Sequence, residues 1–278
     1  MEISEFEKRV QRGFARHDEG EVVYLSVPTI DECGCFVHGF MTRHGGVSEG
    51  PYASLNLSLT REASPENKAE NFRRAVTALG LDPASMVLVN YEHGDGIAAV
   101  SAEDAGKGFT KPTDLPKCDG LYVDGPDITA VTLHADCVPV FVVDRKGGRG
   151  AVCHAGWKGT VKRLPQKLVE KLFKEGSRLE DIVVGIGPHI RSCCFEVGED
   201  VSGVFREEFG EETVVSMPGE KDHVSLERAL LLQLQDAGLA PEQVTVAEEC
   251  TFCRDDLFYS HRRDRGVTGA MGAFLALS

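Results

Sequence analysis

Four segments of the chain carry apolar side chains at helical spacing and are bounded by helix-ending residues. The first begins at Ser64, which can cap a helix, and continues with Pro65 at the first helical position and Glu66 at the positive helix end. Its apolar positions repeat every three or four residues as far as Gly80. The same pattern, with glycine at or beyond the ends, predicts helices over 164–174, 198–209 and 225–238.

Short apolar runs predict strands between these helices. They lie at 22–27, 86–89, 128–133, 138–143, 150–154, 182–186 and 244–247. Helices and strands alternate without a strict βα repeat, which favours an α+β or irregular α/β fold over a barrel or a Rossmann fold. Because we find no internal repeat or low-complexity linker, we expect a single domain over 1–278, with mixed sheets flanked by helices.

Two of the strands are separated by a glycine-rich turn and predict a hairpin. The runs 138–143 and 150–154 flank this turn, with Cys137 just before the first and His154 at the end of the second. A hairpin would bring Cys137 and His154 together although they are 17 positions apart. A thiolate beside an imidazole predicts either a soft-metal site or a Cys/His nucleophile pair.

A zinc site needs a further ligand, and His93 is the best candidate. It follows an apolar run and precedes a glycine. His134 and Cys153 are competitors, but strand alternation puts Cys153 on the opposite face from His154. Three protein ligands with an open position would be typical of a catalytic zinc.

Cys250 and Cys253 form a C-x-x-C pair, which is a weak signal without a matching pair. The spacing of Cys193 with Cys194, and that of Cys33 with Cys35, does not match a second metal-binding pair. We therefore expect Cys250 and Cys253 to be structural and dispensable for turnover, with a redox role as the alternative.

Two basic segments are candidate anion-binding loops. Arg262 and Arg263 lie in the densest basic cluster, 261–265, and Arg43 precedes the glycines of 42–48. Guanidinium groups match phosphate geometry, although a solvated loop is an alternative for the first segment.

The composition restricts the partners. The 278 residues carry a net charge of −14, which argues against binding to nucleic acid or to anionic membrane. The apolar runs fall short of the roughly 18 residues of a membrane span, and the first residues lack the apolar core of a signal peptide. With nine cysteines and no export signal, a reducing cytoplasm is the expected location.

Nine short motifs together resemble one known family, the YfiH-type proteins. They are Thr-Arg-x-Gly-Gly-Val-Ser (42–48), Ser-Leu-Asn-Leu (54–57), His-Gly (93–94), His-Ala-Asp-Cys-Val-Pro (134–139), His-Ala-Gly-Trp (154–157), Gly-Ile-Gly-Pro (185–188), Phe-Glu-Val-Gly (195–198), Cys-Thr-x-Cys (250–253) and Ser-x-Arg-Arg (260–263). The matches extend from about residue 38 to 278. This family was formerly called laccase-domain or multicopper polyphenol oxidases, and its members are known as purine nucleoside phosphorylases with adenosine deaminase activity.

The resemblance implies a fold, a metal and a reaction. The implied fold is an α+β fold shared with a toxin cysteine-hydrolase domain. The implied metal is zinc held by His, Cys and His, which correspond here to His93, Cys137 and His154. The implied reactions are phosphorolysis of adenosine, inosine and methylthioadenosine, and deamination of adenosine.

Several other residues are candidates for parts of this chemistry. Asp136 and Glu92 adjoin metal ligands and could move the proton in deamination. Candidate phosphate holders are Arg43, Lys158, Arg262 and Arg263, and Asn56 could bind the substrate. The chain departs from the family pattern at Tyr91, Lys158 and Ala270, where Gln, Arg and Arg are usual, which affects substrate contacts more than the metal ligands.

Other functions stay open at this point. Cys137 and His154 could form a metal-free cysteine hydrolase, or the zinc could stabilise a partner-binding module. A copper polyphenol oxidase needs many more histidines than the nine scattered here, although copper at the predicted site is possible. The expected partners are a purine nucleoside and inorganic phosphate, and the chain could be a monomer or a homodimer.

Overall fold

The computed structural model describes residues 1–62, 64–216 and 218–278. Its strands are β1 (Gln11–Arg12), β2 (Ala15–Glu19), β3 (Val22–Ser26), β4 (Phe36–Met41), β5 (Met86–Leu88), β6 (Ile97–Val100), β7 (Gly120–Val123), β8 (Thr129–His134), β9 (Val138–Asp144), β10 (Arg149–Ala155), β11 (Ile182–Ile186), β12 (Val214–Val215), β13 (His223–Val224), β14 (Val244–Val246) and β15 (Met271–Leu277). Its α-helices are α1 (Ile3–Arg9), α2 (Pro28–Asp31), α3 (Pro65–Ala78), α4 (Trp157–Val161), α5 (Leu164–Lys174), α6 (Glu199–Phe209) and α7 (Leu226–Asp236).

Two mixed sheets form the centre of the fold. One has seven strands in the order β1-β14-β11-β9-β10-β7-β6, and the other has six in the order β2-β3-β4-β15-β8-β5. Strands β12 and β13 pair separately. Both large sheets contain parallel and antiparallel pairs, so the predicted mixed sheets with flanking helices are confirmed.

Three apolar cores separate four layers. The first core joins the seven-stranded sheet to α1, α5, α6 and α7, through residues such as Leu168 and Phe205. The second lies between the two sheets and includes Phe141 and Leu275. The third joins the six-stranded sheet to α3, through Phe72 and Phe274. Because both faces of each sheet are covered, many strands are apolar throughout.

The predicted hairpin is confirmed and determines where the candidate ligands lie. Strands β9 and β10 pair antiparallel, with Pro139 opposite His154 and Val138 opposite Ala155. Cys137, just before β9, therefore lies at the same end of the hairpin as His154. Cys153 points into the core beneath α5, so its predicted orientation away from His154 is also confirmed.

The four predicted helices are present within one or two residues of the predicted ends. Ser64 caps α3 by accepting a hydrogen bond from the Asn67 N–H, and Ser225 caps α7 in the same way from Arg228. The seven predicted strands are also present, as β3, β5, β8, β9, β10, β11 and β14, but the other eight strands were not predicted. Within the described ranges, the helices are too short or too polar to cross a membrane.

Candidate active site

Three predicted ligands meet at the end of the β9–β10 hairpin. The His93 and His154 ring centroids are 5.1 Å apart, with the rings nearly perpendicular. Gly156, just beyond β10, lies against all three side chains. A Cβ atom at Gly156 would be 3.1 Å from Cys137 Sγ and 3.9 Å from the nearest carbon of each histidine.

Asp119 orients His154. Its Oδ1 lies 3.0 Å from His154 Nδ1. Because a carboxylate can only accept, Nδ1 is the donor, and Nε2 is the ring nitrogen that faces Cys137. The other oxygen of Asp119 accepts from the Gly94 N–H at 2.7 Å, which fixes the loop that carries His93. Burial alone would lower the pKa of His154, but the charge of Cys137 and the hydrogen bond to Asp119 raise it to about 9.

His93 is more exposed and lies in a different electrostatic setting. Its partial burial, the nearby charge of His154 and that of Lys158 lower its pKa. A neutral imidazole is the form that binds a metal. The two histidines therefore have opposite shifts although they are neighbours.

His134, the competing ligand, is occupied by other bonds. Its Nδ1 faces the Cys137 carbonyl at 3.1 Å, and its Nε2 faces the Thr132 hydroxyl at 2.8 Å. Burial lowers the pKa of His134 well below the ordinary value, so the ring is neutral. Its ring nevertheless packs against His154, with centroids 5.3 Å apart.

A cavity of about 600 Å³ opens over these side chains. It brings together five of the predicted site residues, namely His93, Asp136, Cys137, His154 and Arg262. The rest of its wall comes from Ser58, Leu59, Thr60, Arg61, Tyr91, Leu133, His134, Ala135, Ile190, Phe195, His261 and Ala270. Its size is in the ordinary range for small-molecule sites.

Asp136 is held by two donors from the C-terminal part of the chain. Its Oδ1 accepts from the Thr251 hydroxyl at 2.7 Å, and its Oδ2 accepts from the Arg262 N–H at 2.7 Å. Its backbone is left-handed, with φ 88°. Glu92, the other predicted proton carrier, is exposed and does not line the cavity; its N–H donates to Asp119.

The remaining predicted residues lie outside the cavity wall. Arg43 donates to the carbonyls of Ala53 and Asp255, and its guanidinium stacks 4.7 Å above the Tyr259 ring. Arg263 donates to the carbonyls of Thr251, Phe252 and Phe258. Both guanidinium groups therefore hold backbone loops together.

Asn56 and Lys158 also lie beside the wall. Asn56 is fully buried, and its Oδ1 accepts from the N–H groups of Ser58 and Ala270, two residues that line the cavity. Lys158 is exposed at the start of α4, with its ammonium 5.5 Å from the Trp157 ring centroid.

Two residues that matter here were missed in the sequence. Asp119 is a fully buried carboxylate directly before β7, and a charge at the start of an apolar run was the available signal. Arg61 lines the cavity, as Ala270 does, and donates to the Thr268 carbonyl at 3.3 Å. Only its distance of four residues from the Ser-Leu-Asn-Leu motif pointed to it.

The expectation that Cys250 and Cys253 lack metal-binding partners is wrong. Cys193 and Cys194 lie beside them, and the four sulfur atoms are all within 4.8 Å of one another. Within the described ranges, these four sulfurs are the candidate metal ligands that lie this close together. The possible ligand atoms of His93, Cys137 and His154 are spaced more widely. Spacing along the chain could not predict the cluster because folding brings the two pairs together.

The comparisons with known proteins decide the family. The sequence model described as "Multi-copper polyphenol oxidoreductase laccase" matches residues 37–278. The chain belongs to this laccase-like YfiH family. It is 36% identical over 245 residues to "Purine nucleoside phosphorylase YlmD" of Geobacillus stearothermophilus, covering 86% of this chain and 89% of that protein. A "Purine nucleoside phosphorylase" of Deinococcus radiodurans is 37% identical over 240 residues, covering 86% and 88%.

Solved structures agree with the fold. The crystal structure of YlmD from Geobacillus stearothermophilus has a TM-score of 0.87 at 33% identity and covers 95% of this chain and 98% of that one. A YfiH protein of Bacillus licheniformis has a TM-score of 0.86 at 31% identity, covering 95% and 99%. The expected likeness to a toxin cysteine-hydrolase domain stays a prediction.

Proposed function

We propose that this protein is a zinc-dependent purine nucleoside phosphorylase that also deaminates adenosine. The proposed substrates are inorganic phosphate with adenosine, inosine or methylthioadenosine. One observation carries the proposal: a single cavity joins His93, Cys137 and His154 to Asp136 and Arg262, in a chain whose relatives are named purine nucleoside phosphorylases.

The donor set fits a zinc ion. Two imidazoles and one thiolate are ligands that zinc prefers, and copper would accept them as well. Gly156 supports the fit, since its missing side chain leaves space against Cys137 and both rings. A zinc ion held by His93, Cys137 and His154 would supply Lewis-acid activation of water or substrate. Asp119 would keep His154 in the tautomer that presents Nε2.

Polar groups around the ligands would transfer the proton and bind the phosphate. Asp136 accepts one hydrogen bond at each oxygen, so each oxygen keeps a lone pair with which to take a proton from water in deamination. Arg262 is the predicted phosphate holder that reaches the cavity, and we add Arg61 because it is a second arginine that lines the same cavity. Lys158 would add positive charge beside His93.

Phosphorolysis and deamination can be tested separately with one substrate. The protein is incubated with adenosine, with and without inorganic phosphate, and the products are separated by chromatography. Adenine and ribose 1-phosphate should appear only with phosphate. Ammonia should appear in both samples, together with inosine, part of which is converted to hypoxanthine where phosphate is present. Absence of all four products from folded, zinc-loaded protein would exclude the proposed function.

A substitution at Cys137 tests the proposed zinc ligands. Cys137→Ser should lose one equivalent of zinc and both reactions, while Cys33→Ser, at a thiol remote from the cavity, should lose neither. Full zinc occupancy in folded Cys137→Ser would contradict the assignment.

A metal-free cysteine hydrolase is the second candidate, because of one observation. Asp119, His154 and Cys137 follow one another in the order of orienting group, base and nucleophile. If this candidate holds, metal-free protein should be inactivated by iodoacetamide and should keep its activity in a chelator. The zinc proposal requires the opposite, namely loss of activity in the chelator and recovery when zinc is returned.

A further inference from the structure

Four cysteines outside the proposed active site form a compact cluster. The Cys253 Sγ is 3.8 Å from the Cys193 Sγ and 3.4 Å from the Cys194 Sγ, and the Cys250 sulfur completes the group within 4.8 Å. Cys250 is buried, Cys194 is half-buried, and Cys193 and Cys253 are exposed. We refer to Cys193, Cys194, Cys250 and Cys253 as the four-cysteine cluster.

The sheet topology explains why two distant pairs meet. Strands β11 and β14 are parallel neighbours, so the chain leaves both at the same edge of the sheet. The pairing continues beyond them in a parallel bridge between His189 and Cys250. Cys193 and Cys194 follow the first of these segments and Cys253 follows the second.

The sulfur positions match a tetrahedral metal site. A zinc–sulfur distance of about 2.3 Å corresponds to a separation of about 3.8 Å between sulfurs of a regular tetrahedron. The distance from Cys253 to Cys193 equals this value, the distance to Cys194 is 0.4 Å shorter, and the other sulfur pairs lie within 4.8 Å. The Cys250 sulfur also receives the Arg191 N–H at 3.4 Å, a backbone donor suited to a thiolate.

We propose that the four-cysteine cluster binds one zinc ion, as a structural site separate from His93, Cys137 and His154. Soft thiolate ligands in a four-sulfur set favour zinc over harder cations. On binding, the thiols release their protons to solvent. With both sites filled, the chain holds two metal ions.

The contacts of the two loops indicate what this metal does. Thr251 lies inside the C-x-x-C segment and donates to Asp136, while Ile190, which precedes Cys193, donates its N–H to the Asp136 carbonyl at 3.0 Å. Phe195, next to Cys194, lines the cavity. The zinc therefore joins two loops that together hold Asp136 and one cavity wall.

Cobalt substitution tests the cluster without relying on activity. Cys137→Ser protein is made metal-free under reducing conditions and titrated with Co²⁺, so that the thiolate of the proposed active site is absent. We expect one equivalent to bind, with intense sulfur-to-cobalt charge-transfer absorption and the visible bands of tetrahedral Co²⁺. Zinc should displace it.

Further substitutions on the Cys137→Ser background locate the signal. Adding Cys250→Ser and Cys253→Ser should abolish the charge-transfer bands. If that protein does not fold, Cys193→Ser alone changes an exposed ligand and should lower the intensity by roughly a quarter, since three of the four thiolates remain.

Cys33 and Cys35 provide the matched control. Their sulfurs are 2.9 Å apart, and Cys35 contacts the Arg145 carbonyl beside the start of β11, whereas the cluster lies beyond the end of that strand. Replacing both with Ser should leave the cobalt spectrum unchanged. The proposal is overturned if cobalt gives no thiolate bands, if the bands survive Cys193→Ser unchanged, or if they depend on Cys33 and Cys35.

Discussion

His93 and Asp136 both adopt left-handed backbone conformations, with φ 57° and 88°. Residues other than glycine seldom do so, and such strain persists only where surrounding contacts enforce it. Asp119 holds the loop after His93, while Thr251 and Arg262 hold Asp136. Strain at two residues that line one cavity supports the assignment of this cavity as the functional site.

Gly156→Ala tests the space between the proposed ligands. The glycine has φ −73°, which alanine adopts without strain, so the main effect is a methyl group 3.1 Å from Cys137 Sγ. Overpacking of this kind costs about 1–3 kcal/mol, and we expect zinc affinity at the active site to fall about tenfold or more. Competition with a chromophoric chelator measures it.

Gly203→Ala is the control for this substitution. A Cβ at Gly203, in α6, meets nothing closer than 3.5 Å, so zinc affinity should be unchanged. Equal affinity in the two variants would mean that the space beside Gly156 does not hold the metal.

Arg262→Ala distinguishes phosphate binding from nucleoside binding. Its guanidinium stacks 5.4 Å from the Phe195 ring centroid and donates once, to the Glu196 carbonyl, so it retains donors for an anion. We expect phosphorolysis to fall by about 10²-fold, as when about 2.7 kcal/mol of charge stabilisation is lost, with a smaller effect on deamination. Steady-state rates of both reactions measure the difference.

Arg43→Ala provides the comparison. Because its guanidinium binds carbonyls outside the cavity, we expect lower thermal stability and an equal fall in both reactions. A selective loss of phosphorolysis in Arg43→Ala, with none in Arg262→Ala, would return the phosphate role to Arg43.

At the scale of elements, local sequence signals predicted the hairpin and the helices but not the contacts between distant segments. The glycine-rich turn before Gly150 and the capping Ser64 act over a few residues and can be read directly. Cys193 lies close to Cys250 because β11 and β14 are neighbours in the sheet. No local sequence pattern predicts that pairing. Strand β15 is apolar on both faces, as the predicted strands β9 and β11 are, so the same local signal was available for it.

Acid should weaken the packing of the start of α2 against β4. His38 is 4% exposed and its Nε2 accepts from the Val27 N–H at 2.8 Å, and burial is the main cause that lowers its pKa from 6.5 to about 3. Asp31 lies 3.8 Å from Nδ1 and would favour the charged ring, but that carboxylate is 41% exposed, so burial dominates. Between about pH 6.5 and pH 3, His38 is therefore protonated in the unfolded chain but neutral in the folded chain.

Stability should therefore fall as the pH decreases through this window. Protonation of His38 in the unfolded chain should by itself reduce the free energy of unfolding by about 2 kcal/mol between pH 7 and about pH 5. In His38→Gln, whose amide oxygen can still accept from Val27, this share of the loss should disappear. Urea unfolding of both proteins at the two pH values measures it, and an equal loss in both would contradict the assignment.

At the scale of the whole molecule, the last strand occupies the middle of a sheet. Strand β15 lies between β4 and β8, and its alternate residues serve two cores. Leu275 packs between the sheets, while Phe274 packs against α3. Three cores that share strands in this way should unfold together, as the predicted single domain requires.

Phe274→Ala tests this cooperativity with a probe in another layer. The side chain is fully buried, so its truncation should cost about 3–5 kcal/mol, whereas Phe173→Ala, at a position 55% exposed, should change stability by less than about 0.5 kcal/mol. Trp157 is the single tryptophan and packs against the core of the seven-stranded sheet, away from Phe274. If 1–278 is one cooperative unit, Trp157 fluorescence and far-ultraviolet circular dichroism should shift to the same lower urea midpoint in Phe274→Ala. A Trp157 transition that stays at the wild-type midpoint while the circular dichroism shifts would show that the two sheets unfold independently, and would contradict the single-domain prediction.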